Sequence, residues 1–242
     1  MKKGIGQSGP QRPRPKFKIE KSDWIDNRHF WGINTDNFII DLVGYEMEYG
    51  TDDTNRDEPG VEYQMASRLI RNIEILSGID PTRNILIKMK TCGGDWNEGM
   101  AIHNAIDTCP NNVVILSYTH ARSMSSLIFQ AADKRVMMQD SYFLFHKGEV
   151  AFSGTYNQFM SFSDHYREAH KRMIEIYVNS MQKKGRFKRW SAKRIEEMLE
   201  DHMSKKEDVY LSPKETIEWG LADEIFDGDW EKLRKIPRTR KI

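Results

Sequence analysis

Residues 84–126 read NILIKMKTCGGDWNEGMAIHNAIDTCPNNVVILSYTHARSMSS, and this stretch decides the fold class. Asn84–Lys90 (NILIKMK) and Val113–Ser117 (VVILS) are short apolar runs bounded by polar and turn residues, the pattern of buried strands. Between them stand the Gly93-Gly94 pair and a segment from about Asn97 to Thr108 with helical character. A second helix starts near Ser123. Strand, crossover helix and strand make the βαβ unit of a parallel sheet.

The same alternation extends outward. Asn37–Val43 (NFIIDLV) reads as a strand, and the acidic stretch Gly50–Gly60 as a loop. Glu62–Leu76 has a helical period, with Met65, Leu69, Ile73 and Leu76 on one face and Gly78 placed as a C-cap. Downstream, Arg135–Met138 and Tyr142–Phe145 are short strands. Tyr156 to about Lys184 is one long helix whose Phe159, Phe162, Tyr166, Met173, Tyr177 and Met181 form a stripe suited to packing on a core or on a neighbouring subunit. The basic run KKGRFKRWSAK (residues 183–193) reads as a solvated linker. Ser191 caps a helix reaching about His202, and Ser212-Pro213-Lys214-Glu215 is a capping box with Pro at the first helical position. That helix ends at Gly220, and Leu221–Phe226 is a last strand. The expectation is an α/β fold of stacked βαβ units.

Composition narrows the function classes. The chain of 242 residues suffices for one substantial α/β domain or two small ones. No internal repeat or compositional break divides it, so a single domain is expected over 31–226. It lies between a mobile basic N-terminal tail (1–30) and a basic, frayed C-terminal tail (227–242). Lys plus Arg number 37 against 36 Asp plus Glu, a balance that offers nucleic acid no electrostatic footprint. No apolar run approaches the roughly 18 residues of a membrane span, and the basic N-terminus lacks the apolar core of a secretory signal. Cys92 and Cys109 are too few for a disulfide framework, which suits a reducing cytoplasm. The seven histidines are scattered, there is no His-Glu-x-x-His, and the cysteines lack ligand spacing. No metal or cofactor is expected.

Three features converge on one sheet edge. Ser123 follows the strand Val113–Ser117 by a short turn and opens a helix, where its hydroxyl and nearby N–H groups favour negative charge. His146 follows Tyr142–Phe145 at a strand's carboxyl end, where α/β sites are built. Gly93-Gly94 follows Asn84–Lys90 and lets backbone amides approach a ligand. A serine hydroxyl needs a base, an orienting acid and oxyanion donors to act as a nucleophile. The bland alternatives stay open on the residues alone: Ser123 as an N-cap, His146 as a satisfied polar residue, the glycines as a turn.

From Asn84 to Phe226 the chain resembles the proteolytic subunit of the Clp protease, a caseinolytic serine peptidase family with a ClpP/crotonase-like fold. NILIKMKTCGGDWNEGMAIHNAI resembles the family's strand, glycine turn and following helix, and the interval from Gly94 to Ser123 aligns without a gap. RSMSSLIFQAADKRVMMQDSYFLFHKG resembles the nucleophile helix and the His strand, and KEDVYLSPKETIEWGLADEIF the C-terminal block. The resemblance implies a Ser-His-Asp triad of Ser123, His146 and Asp208, with the N–H groups of Gly94 and Met124 as oxyanion hole. It implies peptide or unfolded-protein substrates, and a homo-oligomer of heptameric rings joined through the handle helix, about 156–184. It further implies a separate Clp-type ATPase, because this sequence carries no Gly-x-x-x-x-Gly-Lys-Ser/Thr phosphate loop. No nucleic acid or membrane partner is implied.

The chain departs from the family at Cys92, where a proline is usual, and at Arg122 and Ser125, where small residues flank the nucleophile. The interval from His146 to Asp208 is also longer, with the extra length around residues 183–193. Rival readings are a non-catalytic Clp-like subunit, an assembly-related protease, a crotonase-type acyl-CoA enzyme and a Ser-Lys peptidase. His120, in the turn before Ser123, matches no functional position and reads as structural or exposed.

Overall fold

In the computed structural model, which describes residues 21–43 and 58–240, the run Val113–Ser117 is buried along its whole length. It lies in the middle of a six-stranded sheet and neither of its faces meets water. The chain runs α1 (Lys21–Trp31), β1 (Ile33–Asn34), β2 (Ile39–Val43), α2 (Tyr63–Ile79), β3 (Ile85–Lys90), α3 (Trp96–Thr108), β4 (Val113–Ser117), β5 (His120–Arg122) and α4 (Met124–Gln130). It continues with β6 (Lys134–Met137), β7 (Tyr142–Phe145), α5 (Tyr156–Lys183), α6 (Ala192–Lys206), β8 (Val209–Leu211), α7 (Pro213–Trp219), β9 (Glu224–Ile225) and α8 (Trp230–Arg234). The main sheet has the order β1-β2-β3-β4-β6-β9, parallel except for the β1–β2 edge pair.

Successive residues of a strand point to opposite faces, and the core divides accordingly. Ile85, Ile87, Met89, Val113 and Ile115 pack under the helices α2 to α5, while Leu86, Val114, Leu116 and Val136 face the other way. The second face is closed by Leu233 of α8 with Phe226 and Ile236 beside it. Residues 241–242 lie outside the described residues, and for 227–240 this corrects the reading of 227–242 as a frayed tail. Its basic side chains find carbonyls and carboxylates that sequence does not reveal. Arg240 Nη1 donates to the last carbonyls of α3, at 2.5 Å to Ile106 and 2.8 Å to Cys109, and its Nε meets Asp133 at 2.7 Å. A cation at a helix C-terminus is favoured by the orphan carbonyls and the dipole.

Other expectations change for similar reasons. Residues 21–30, assigned to the tail, belong to α1, which Arg28 ties to Asp41 of β2 at 3.0 Å and Asn72 of α2 anchors through the Trp31 carbonyl at 2.7 Å. Residues 1–20 and most of the loop at 50–60 lie outside the described residues. Helix α2 continues through Gly78 and caps at Asp80. The basic side chains of the run 183–193 are exposed, as a solvated linker requires, but the run is also anchored, because Phe187 is buried against Trp190 and Trp219 at ring distances of 4.7 and 5.3 Å. The long helix α5 spans about 42 Å. Met173, Tyr177 and Met181 of its stripe are buried in the chain's own core, whereas Tyr156, Phe159 and Met160 stand exposed. Among the described residues no helix is long and apolar enough to cross a membrane.

One buried ion pair joins β6 to β9. Asp223 accepts from the Arg135 backbone N–H at 2.7 Å and from its Nη2 at 3.0 Å, and both side chains are about nine-tenths buried. Burial opposes the Asp223 charge, but the bonds from Arg135 and Lys184 outweigh it and hold the carboxyl below its ordinary value. Because the folded pKa is depressed, this contribution to stability is complete above the unfolded value near 3.8 and is lost as pH falls through the folded one. Asp223→Ala strands the Arg135 charge and is expected to destabilise the fold by about 3–5 kcal/mol. Urea denaturation at neutral pH measures the loss, and the gap between variant and parent should narrow in acid.

Candidate active site

The second sheet, of order β5-β7-β8, builds the site. It corrects the expectation that only a short turn separates Ser123 from β4. Strand β5 intervenes, pairing in parallel with β7 so that Arg122 lies beside Leu144, and the Ser123 N–H donates to the Leu144 carbonyl at 3.1 Å. Strand β8 pairs with β7 in antiparallel register, Phe145 opposite Val209. The next residues beyond that pair are His146 and Asp208. Three short strands thus end together, each delivering one polar side chain.

The side chains form one chain of hydrogen bonds. Ser123 Oγ lies 2.8 Å from His146 Nε2, and His146 Nδ1 lies 3.0 Å from Asp208 Oδ1. With Nδ1–H donating to the carboxylate, Nε2 is left to accept from the serine hydroxyl. Ser123 occupies the N-cap position of α4, yet its hydroxyl caps nothing. Its backbone sits at φ 51°, ψ −131°, a strained conformation for a residue with a Cβ, which turns the side chain out of the helix start and toward His146.

Neighbouring groups hold that turn in place. Ser125 Oγ accepts from the Arg122 N–H at 2.9 Å and donates to the Arg122 carbonyl at 2.7 Å, closing the turn from inside. Ser126 Oγ donates to the Ser123 carbonyl at 2.6 Å and pairs with Tyr177 Oη at 2.6 Å. With the Ser126 proton so committed, the phenol is the donor, and burial pushes its pKa up, keeping it protonated. Sequence reading placed Tyr177 only in a packing stripe and Ser125 only among departures from a family. Their bracing roles depend on contacts across 51 and 3 residues respectively, and the first had no local signal.

Gly93 and Gly94 come to the same place from β3. Gly94 bridges to Val61, with Asp95 N–H donating to the Val61 carbonyl at 2.9 Å and Val61 N–H to Gly93. A Cβ on Gly94 falls 2.4 Å from the Val61 oxygen, and one on Gly93 2.7 Å from Ser123 Cβ and 2.9 Å from the Met124 nitrogen. Only glycine fits a turn wedged between two backbones this closely. Neither the Gly94 nor the Met124 N–H finds an acceptor among the described residues.

Ser123, His146, Asp208, Gly94 and Met124 all border one cavity of about 700 Å³. Its far wall comes from the loop after β7 and from α5, including His165 and His170. Glu200 of α6 fastens that wall, pairing with Lys147 at 2.8 Å and with His170. His120 is buried against Glu58 at 2.7 Å and packs at a tilt on the Tyr142 ring, so its place is structural. Burial holds its pKa below the ordinary imidazole value against the pull of Glu58.

A model of the Clp protease family matches residues 58–229. The chain belongs to the Clp protease family. It is 24% identical over 169 residues to the ATP-dependent Clp protease proteolytic subunit of Deinococcus radiodurans, covering 69% of this chain and 76% of that protein. To the subunit of the same name from Streptococcus sanguinis it is 27% identical over 171 residues, covering 69% and 81%. For proteolytic subunit 2 of Tropheryma whipplei the figures are 22%, 68% and 86%. The family is one of peptidases, and this chain is a divergent member with the mixed α/β Clp fold. The Clp match begins upstream of the resemblance read from sequence, at Glu58. It therefore includes the segment through Val61 that packs on the glycine turn.

Gly94→Ala tests that packing. The added methyl meets backbone at Val61 and strains a φ of 140°, and a loss of about 1–3 kcal/mol is expected in thermal or urea unfolding.

Proposed function

We propose that this Clp family member is a serine endopeptidase that cleaves peptides and unfolded polypeptides through Ser123, His146 and Asp208. The observation that carries the reading is the continuous chain from Ser123 Oγ through the His146 ring to Asp208, set beside the acceptor-free N–H groups of Gly94 and Met124. His146 Nε2 takes the proton as Ser123 Oγ attacks the scissile carbonyl carbon. The Gly94 and Met124 N–H groups stabilise the oxyanion. Collapse of the tetrahedral intermediate breaks the C–N bond, His146 protonates the leaving amine, and an ester to Ser123 remains. Water, activated by the same imidazole, then attacks the ester and releases the acid and the serine hydroxyl. Asp208 keeps the ring in the required tautomer. The hydroxyl's partner is a histidine, and the nearby Lys147 is turned to Glu200, which favours this reading over a Ser-Lys mechanism.

The names of the relatives speak of ATP dependence, and this chain has no phosphate-binding loop of its own. The proposal therefore places ATP hydrolysis in a separate Clp-type ATPase that unfolds and delivers substrate, in the cytoplasm. Alone, the subunit is expected to cleave peptides and spare folded proteins. The exposed apolar half of α5, with Tyr156, Phe159 and Met160 beside Phe152, supports a homo-oligomer in which heptameric rings meet through this helix.

Two experiments test these points. Ser123→Ala and His146→Ala are expected to lower peptide turnover by ~10⁴-fold or more with the fold intact, and a fluorophosphonate probe should map to Ser123. Full activity in Ser123→Ala overturns the assignment. Sedimentation is expected to show a large assembly that Phe159→Glu weakens, and a parent protein that is monomeric at micromolar concentration overturns the ring proposal.

A further inference from the structure

Arg122 borders the cavity, and the hydrogen-bonded triad makes no use of it. It immediately precedes Ser123, so the two Cα atoms are about 3.8 Å apart, and its side chain lines the space shared by Ser123, His146 and Gly94. Nε donates to the Cys92 carbonyl at 3.2 Å, and Nη1 approaches the Tyr142 hydroxyl at 3.5 Å. Both acceptors are neutral. A guanidinium offers five donors in a rigid fork matched to a carboxylate, and among the described residues Nη2 has no acceptor.

The neighbouring carboxylates bond to other groups, although Glu58, whose Oε1 has no hydrogen-bond partner among the described residues, still pulls on the Arg122 charge without forming an ion pair with it. Glu58 faces His120, Asp208 faces His146, Glu200 holds Lys147 and His170, and Asp95 caps α3 through the Glu98 N–H. Among the described residues none forms an ion pair with Arg122. A fixed positive charge in a partly enclosed cleft, with a donor edge unfilled, is a binding site for an anion.

We infer that Arg122 is a specificity-determining residue that draws a substrate carboxylate to within about one residue of the scissile bond. The inference rests on the proposed role of Ser123. The carboxylate has two sources, an Asp or Glu side chain or the free C-terminus of a short peptide, and end-blocked substrates separate them.

The test is cleavage of a defined peptide library, read by mass spectrometry, with the parent protein and with Arg122→Gln, Arg122→Lys and Arg122→Glu. With blocked ends, peptides bearing Asp or Glu beside the cleaved bond are expected to exceed their Asn or Gln counterparts by about tenfold in kcat/KM. The preference should shrink with added salt, vanish in Arg122→Gln while neutral peptides are still cut, persist in part in Arg122→Lys, and turn toward Lys and Arg in Arg122→Glu. A preference seen only with free C-termini assigns the contact to the α-carboxylate and sustains the inference. A parent protein without acidic preference, or Arg122→Gln slowing all peptides equally, overturns it and leaves Arg122 as a brace for the Cys92 carbonyl. Ser123 labelling is unaffected by that outcome. A parent protein that cleaves nothing and leaves Ser123 unlabelled overturns both readings.

Discussion

The backbone ladder of the small sheet is the constraint on which the site depends. Strand β7 pairs with β5 on one side and β8 on the other, and the two registers bring residues 146 and 208 level with one another and residue 123 within one step of them. A one-residue slip in either pairing reverses which face each side chain takes and separates the imidazole from its partners. The register is held by burial. Phe143 and Phe145 of β7 and Leu211 of β8 point into the core beside Tyr177 and Trp219, and none is free to face water.

The strain at Ser123 is sustained by that same packing. A positive φ costs of the order of 1–3 kcal/mol at a residue with a side chain, and several contacts oppose its relaxation. Leu144 holds the N–H, Ser126 holds the carbonyl, and Tyr177 reaches from α5 to hold Ser126. Helix α5 therefore does two things with one amphipathic face. Its C-terminal half braces the strained turn from within the core, and its N-terminal half extends beyond it, leaving aromatic surface in water.

The basic stretch 183–193, before Asp208, packs on the core through Phe187. Helix α6 follows it, and Glu200 there pairs with Lys147, one residue beyond His146. Arg186 of that stretch and Arg194 of α6 lie over aromatic rings, at 4.7 Å from Phe187 and 3.7 Å from Trp190. Guanidinium groups cover apolar surface while keeping their charge hydrated.

Strands β3, β4 and β7, the helices α3, α5 and α7, and the capping box at Ser212 were legible because each is written in a few consecutive residues. Apolar runs, helical spacing and Ser-Pro-x-Glu act locally, whatever the rest of the chain does. Ser123, His146 and Gly94 were singled out for the same reason, while Asp208 came only through resemblance to a family, since an acid before a short strand carries no signal of its own. Strand β5, helix α8 and the Tyr177 brace were not legible. Each exists because a partner distant in sequence buries it or accepts its hydrogen bonds, as Leu144 does for Ser123 and Asp133 for Arg240. Pattern along the chain determined which elements form and which polar residues end them. Which of those residues meet was decided by sheet register and long-range burial, energies that exist only once the chain has closed on itself.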